Sequence, residues 1–361
     1  SNQLRGVDFV SINTDAQDLH HSLAKKKVHI GKNLTRGLGT GMNPELGRKA
    51  AEESIEDIQN SIQGADMIFI AGGTGGGTMS GAGAVVAKTA KDQGILTVAV
   101  VTKPFFFEGA QRMQIAEKAI EELRKEVDAI VIIPNDRLLG LIDKNTTATS
   151  AFAICDEVLR QAVSGISDLI TTPGIINVDF ADIRAILSNA GSALMGIGTG
   201  VGDNRAVDAA KMAINSPLLD VSIDGAKGVL FAIAGSSDMT MYEIQEAAKV
   251  IVESADPNAK IIFGAIQDSK LDKNEIKITV IASGFPENAK RKPAPAGGLM
   301  ENKQISAENK ENEKEPIEIQ DIKINKQQPW GSKRTEEIKG SKNSDDDDWS
   351  SIPAFLRRNR K

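Results

Sequence analysis

Six glycines fall within residues 72–81, Gly72-Gly73-Thr74-Gly75-Gly76-Gly77-Thr78-Met79-Ser80-Gly81, between an apolar run and a helical pattern. Glycines at a strand-to-helix turn let backbone N–H groups face inward and approach an anion. The helix N-terminus adds a partial positive charge. Thr78 and Ser80 bring hydroxyl donors, so the chemistry this turn suits is phosphate binding. The pattern is neither GxxxxGK[ST] nor GxGxxG opening the first strand–helix unit. A second glycine turn, Gly37-Leu38-Gly39-Thr40-Gly41, precedes Asn43-Pro44. Two such turns at the C-terminal edge of a parallel sheet would converge on one polyphosphate. Further along, two carboxylates, Asp179 and Asp182, lie three residues apart at a helix start, which by itself suits capping.

These residues need a scaffold, and the hydrophobic pattern supplies one. Residues 7–13, 66–71, 96–103 and 129–134 read as strands, short and apolar on both faces as parallel strands are. Helical periodicity covers 44–63, 82–93 and 109–126, with Asn43 and Pro44 as cap and first residue of the earliest. Such alternation implies a parallel sheet with right-handed crossovers. A long helix is expected over 147–170, ended by Thr171-Thr172-Pro173-Gly174. A second α/β unit follows, with strands at 194–200, 228–234, 261–265 and 275–283 and helices at 204–215 and 240–254.

The chain has 361 residues with 43 Lys+Arg against 49 Asp+Glu, and this net charge of −6 argues against a dedicated nucleic-acid binder. One cysteine, Cys155, allows no intramolecular disulfide and reads as a reducing compartment. His20, His21 and His29 lack the Cys or carboxylate neighbours of a metal site, so no protein-held metal is expected. No apolar run approaches the roughly 20 residues of a membrane span, and the opening residues do not read as a signal peptide. Residues 287–344 contain no Val, Phe, Tyr or Cys, and read as a disordered linker. After it, Asp345 to Asp348 precede Trp349, Ile352, Phe355 and Leu356 and four terminal cations, the pattern of a docking peptide on a tether.

Taken in order, Asn13-Thr14-Asp15-Ala16-Gln17, residues 37–45, Gly75-Gly76-Gly77-Thr78, Lys103-Pro104-Phe105 with Phe107-Glu108-Gly109, Ile133-Pro134-Asn135-Asp136 and Asn177-Val178-Asp179-Phe180-Ala181-Asp182 resemble the FtsZ family, the bacterial tubulin-like division GTPases. The resemblance runs over about residues 6–285 and resumes at 352–358. It implies a tubulin/FtsZ-like α/β fold. A parallel-sheet GTP-binding domain would occupy 1–149, a central helix and catalytic loop 150–190, and a smaller α/β domain 191–286. The linker (287–344) and the partner-docking peptide (345–361) would follow.

The resemblance also implies ligands and roles. GTP or GDP would bind, with Mg²⁺ held through the phosphates. Asn13 and Asp15 would sit beside ribose and phosphates. Gly39, Thr40 and Gly41 would offer N–H groups near the terminal phosphate, and Gly75, Gly76, Gly77, Thr78, Met79 and Ser80 would wrap the phosphates. Glu108 and Arg112 would contact the ribose. Asn135, Phe152 and Asp156 would hold the base, Phe152 by stacking and Asp156 by accepting from guanine N1–H and the 2-amino group. Asn177, Asp179 and Asp182 would dock on the nucleotide of the next subunit and position the attacking water. The implied partners are further copies of the chain in a head-to-tail filament and membrane-anchoring division proteins bound by residues 345–361, at the cytoplasmic division site.

Two departures from the family shape the expectations. Met79 stands where the family has a glycine, and a left-handed φ there would cost about 1–2 kcal/mol and weaken nucleotide binding. The chain also opens at Ser1 without the strand and glycine-rich loop that begin family members, which reads as a truncated start. The alternative function is a nucleotide-binding polymer scaffold with impaired turnover. A dinucleotide-dependent dehydrogenase fails on the glycine spacing.

Overall fold

A computed structural model describes residues 6–139, 146–216, 225–268 and 271–285. The linker and docking peptide expected beyond residue 286 lie outside the described residues. The chain runs β1 (Val10–Asn13), α1 (Ala16–His21), β2 (Lys26–His29), α2 (Lys32–Thr35), α3 (Pro44–Glu53), α4 (Ile55–Ile62), β3 (Met67–Gly73), α5 (Thr78–Asp92), β4 (Leu96–Lys103), α6 (Ala110–Glu126), β5 (Ala129–Pro134) and α7 (Asn135–Leu139). The long helix α8 (Ala148–Thr171) leads to α9 (Phe180–Leu187), β6 (Gly191–Val201), α10 (Arg205–Ile214), β7 (Gly228–Gly235), α11 (Met241–Glu253), β8 (Lys260–Gln267) and β9 (Glu275–Ser283).

β1 and β2 pair in parallel as a small sheet of their own. The other strands form one seven-stranded sheet ordered β3-β4-β5-β6-β9-β7-β8. β3 to β6 are parallel neighbours, while β9 runs antiparallel to both β6 and β7. The two α/β units read from the sequence are therefore joined edge to edge, through the short β5–β6 register Ala129↔Gly191 to Val131↔Ala193. The second unit is a mixed sheet, since β7 and β8 alone in it are parallel.

β4 shows why the apolar runs belong in the middle. Leu96, Val98 and Val100 face a core shared with α8 and α9, whereas Ala99 and Val101 face a core shared with α3, α4 and α5. Both faces are covered, so the run has no polar alternation to lose. α8 lies on the first of these cores through Ile154, Val158, Ala162, Val163 and Ile166.

One expectation is corrected, and one strand is absent from the sequence pattern. The helix expected over 44–63 is two helices, broken at Ser54 with φ −109° and ψ 26°. The Ser54 hydroxyl accepts from Gly31 N–H at 3.2 Å, which fixes it to the loop after β2 and turns the chain without interrupting the apolar period. β2 itself is invisible in the pattern because two of its four residues are exposed lysines, the usual guard of a sheet edge.

α3 and α5 cross with their backbones in contact. A Cβ on Gly81 would lie 2.0 Å from Pro44 O and 2.5 Å from Arg48 N, and one on Gly47 would lie 2.2 Å from Gly77 O. No side chain can move aside at these points, so Gly81→Ala must separate the helices. Overpacking of this kind costs about 1–3 kcal/mol. Thermal unfolding followed by circular dichroism is expected to fall by several degrees for Gly81→Ala, at about 2–4 °C per kcal/mol.

Candidate nucleotide site

The glycine-rich turn opens where β3 ends and closes on the first turn of α5. Thr74 pins it: its N–H and its hydroxyl both donate to Thr102 O of β4, at 3.0 and 2.7 Å. Gly75 has φ +99°, a conformation that L side chains resist. Its N–H donates to Ser80 Oγ at 3.0 Å, and Ser80 is buried. The Ser80 hydroxyl thus shapes the turn from inside. α5 carries no side-chain cap at Gly77, so the N–H groups of its first turn have neither an intrahelical acceptor nor a side-chain cap.

The correction of most consequence concerns Met79. It lies in the first turn of α5, not among the residues of positive φ, so the expected strain is absent. Its side chain points away from the opening, into the core beneath: Cβ atoms built on Gly72 and Gly83 would meet its thioether at 3.2 to 3.4 Å.

The second glycine turn lies beside the first. Gly37 and Gly41 have φ of +80° and +59°, and Arg36 and Met42 share the left-handed region at +54° and +62°. Asn43 caps α3 by accepting from Leu46 N–H. Gly39 and Gly76 are the informative glycines. Neither has a positive φ, and a Cβ on either would meet nothing within 4 Å. The chain's own packing gives no reason for glycine there, whereas a ligand lying against the backbone does. Asn13 and Asp15 close this side. Asn13 donates to Asp18 at 2.6 Å, and Asp15 caps α1 by accepting from Gln17 and Asp18 N–H.

From the turn the site continues across the ends of β4 and β5. A Cβ on Gly75 would lie 3.0 Å from Arg112 O and 3.2 Å from the Pro104 ring. Glu108 accepts from Arg112 Nη1 at 2.6 Å and from Phe105 N–H at 2.9 Å. The Arg112 Nε is buried without an acceptor. Asn135, 6% exposed at the start of α7, leaves its Oδ1 buried and unpaired. The Phe152 ring is 48% exposed and stands edge-on to buried Phe105, with centroids 5.4 Å apart. One turn along α8, burial raises the Asp156 carboxyl above its ordinary range. A flat exposed ring, an unpaired buried amide oxygen, an unpaired guanidinium N–H and a carboxylate short of partners together suit a base and its sugar. Sequence reasoning misses Thr74 and Asp136, which tie the turn and the β4–α6 loop. Asp136 accepts from Phe106 N–H at 3.0 Å. The signal for Asp136 is present in the Asn-Asp pair that follows β5 and opens α7, while Thr74 is hidden among glycines.

Asn177, Asp179 and Asp182 are elsewhere. Asn177 accepts from Gly174 N–H at 2.7 Å, Asp179 caps α9 by accepting from Ala181 N–H at 3.2 Å, and all three are exposed. Two rulers place them. From Asp156 to the end of α8 at Thr171 the helix rises about 22 Å. Arg184 of α9 donates to Gly94 O, just before β4, while the glycine turn is tied to Thr102 near its far end. That strand is about 25 Å long. The loop and the glycine turns are at opposite ends of the sheet.

Residues 2–143 match the GTPase domain of the Tubulin/FtsZ family, and residues 191–286 match the FtsZ family C-terminal domain. An FtsZ dimer from M. jannaschii is 47% identical, with a TM-score of 0.75 over 78% of this chain and 81% of that one. A tryptophan-to-tyrosine point mutant of M. jannaschii FtsZ is likewise 47% identical, with a TM-score of 0.76 over 78% and 85%. A GTPγS-bound protofilament of CetZ2 from Haloferax volcanii shares the fold at 22% identity, with a TM-score of 0.66 over 79% and 85%.

Met79→Gly is expected to leave nucleotide affinity within about twofold, since the side chain faces the core. It is expected to cost about 2 kcal/mol of stability from a helical glycine and lost apolar contact. Isothermal titration and denaturant unfolding of the same variant check both halves.

Proposed function

Because the chain belongs to the FtsZ family, we propose that it is a filament-forming GTPase of the division ring whose active site is completed only between two copies. The carrying observation is the separation of the glycine turns from Asp179 and Asp182 by the length of the sheet. A single chain holds a nucleotide at one end and the acids at the other. A second copy placed head-to-tail brings them together, and an interface that pairs unlike ends propagates as a filament.

In this reading the phosphates lie against Gly75, Gly76 and Gly77, Thr78 and the open N–H groups of α5. Gly39, Thr40 and Gly41 face the terminal phosphate. Glu108 and Arg112, with Asn13 and Asp15, hold the ribose side. Asn135 and Phe152 frame the base, and Asp156 accepts from guanine N1–H and its 2-amino group, donors that adenine does not present together. Mg²⁺ carried on the phosphates would offset their charge; Thr78 and Thr40 offer oxygens nearby. From the neighbouring copy, Asn177 orients a water, and Asp179 and Asp182 polarise it for in-line attack on the terminal phosphorus. The bond to the bridging oxygen breaks, and GDP and phosphate leave. Positioning and charge neutralisation are what phosphoryl transfer requires, and both can be divided between two chains. The regular helical turn at Met79 removes the strain argument for a scaffold without turnover. By the same resemblance, residues 345–361 would dock the filament to membrane-anchoring division proteins on the cytoplasmic side of the membrane.

Two experiments follow. Burial holds the Asp156 carboxyl protonated to higher pH than an ordinary aspartate, and guanine binds its ionised form. Affinity for GDP is expected to fall as pH drops through that raised pKa, with proton release on binding. Asp156→Asn should lose at least about tenfold in affinity and the pH step with it. An unchanged pH profile in Asp156→Asn would remove Asp156 from the base site. In the second, at GTP too dilute for Asp156→Ala to bind, Asp182→Asn and Asp156→Ala are each expected to be inactive alone, and an equal mixture should regain about a quarter of native turnover, the share of junctions pairing two intact halves. A mixture no faster than its components would contradict a shared site.

A further inference from the structure

Between Asp18 and Glu45 the sequence has five Lys and Arg, three His and no carboxylate, more cations than any other acid-free stretch of a chain whose net charge is −6. The fold puts the centre of this stretch on a sheet edge. Lys26 and Lys27 are the exposed residues of β2, which pairs only with β1 among the described strands. Lys25 precedes them and is also exposed. Lys27 Nζ donates to His20 O at 2.8 Å, which holds the end of α1 and the exposed His20–His21 pair beside the strand. Lys32 has Asp57 at 4.0 Å, whereas Lys25, Lys26 and Lys27 have no carboxylate partner among the described residues. Leu23, between the histidines and the lysines, is 86% exposed.

Lysines guard a sheet edge, but that role accounts neither for the leucine nor for the lack of any acid over this length. A positive patch beside an exposed apolar side chain complements an anionic segment that carries an apolar group of its own. The chain contains such a segment: Asp345, Asp346, Asp347 and Asp348 run directly into Trp349. Residues 286–344 can span about 200 Å when fully drawn out, against a radius of gyration of about 19 Å for a domain of the size that precedes them, so the run reaches β2 of its own chain. Such a tether gives an effective concentration in the millimolar range. Ion pairs that are individually weak in water are then enough to hold it.

We propose that Lys25, Lys26 and Lys27 with Leu23 form the docking surface for Asp345–Asp348 and Trp349 of the same chain. The contact is electrostatic, so salt loosens it. While it holds, the acidic start of the peptide at 345–361 is covered, and a partner that takes this peptide has to release it first. Lys26 pairs with Val10 at the start of β1, and Asn13 is at the other end of that strand. The surface is therefore separate from the nucleotide site, and the proposal does not depend on the GTPase reading.

Trp330 and Trp349 are the two tryptophans, so in the full chain carrying Trp330→Phe the indole fluorescence reports on Trp349 alone. It is followed without nucleotide, with acrylamide as a neutral quencher. As the Debye length falls from about 30 to 3 Å between about 0.01 and 1 M salt, quenching of Trp349 is expected to rise about twofold, independently of protein concentration. Lys25→Gln, Lys26→Gln and Lys27→Gln combined should remove the low-salt protection. Exchanging the charges, with Lys25→Asp, Lys26→Asp, Lys27→Asp and Asp345→Lys, Asp346→Lys, Asp347→Lys, Asp348→Lys together, should restore it, which a damaged fold could not do. Circular dichroism shows that each variant is folded. Equal quenching of the native-charge chain at both salt concentrations overturns the proposal. So does protection that survives the glutamine substitutions, which would place the aspartates on the cations at 357–361, or protection that is lost on dilution, which would place them on another copy. Loss of binding to anionic-lipid vesicles in the glutamine variant, with Trp349 unprotected throughout, would make the edge a membrane site and also overturn it.

Discussion

The backbone crossing of α3 and α5 is the constraint on which the nucleotide end depends. Gly47, Gly77 and Gly81 lie at backbone contact distance, with no side chain between the helices. That approach brings the loop ahead of α3 against the turn ahead of α5, and so places Thr40 on Gly77 and Thr78. Without it the two glycine turns would be separate flexible segments. With it they form one wall with the first-turn N–H groups of α5 at its base. Anion affinity at such a wall would come from fixed dipoles, which need no rearrangement to meet the ligand.

The sheet and α8 set the second constraint, which is distance. β3, β4 and β5 present their C-terminal ends to the nucleotide turns, while α8 carries the chain back to the opposite edge before α9 begins. Apolar contacts on both faces of β4 and along α8 hold this spacing rigid. Asp179 is engaged in capping its helix, and Asp182 follows in the first turn. The capping bond of Asp179 orders the start of α9, and both carboxylates are exposed. A rigid body with unlike ends is what directional assembly requires.

Much of this is legible in the residues. The bounds of β4, β5 and β9 follow from continuous Val/Ile runs, and α6 is displaced by one residue at its start. These are segments whose pattern and packing agree. What stays hidden has physical reasons. Ser54 breaks a helix by one hydroxyl bond to Gly31, and an uninterrupted apolar period conceals it. β2 is short and lysine-rich. The β5–β6 junction is a tertiary pairing that no local pattern encodes. Met79 misleads because the absence of a glycine suggests strain, when its backbone is helical and its side chain has a core to enter. Thr14 sits within a recognisable motif, but its hydroxyl contact with Thr78 appears only once the fold places the two together.

Whether one copy supplies the nucleotide and another the acids is decided by phosphate release from GTP as a function of protein concentration. Sedimentation of the same samples reports association. A shared site requires a per-chain rate near zero in dilute solution that rises steeply over the concentrations where sedimenting species appear. A per-chain rate that stays constant down to concentrations with no association would mean that one chain holds the whole site, and would contradict it.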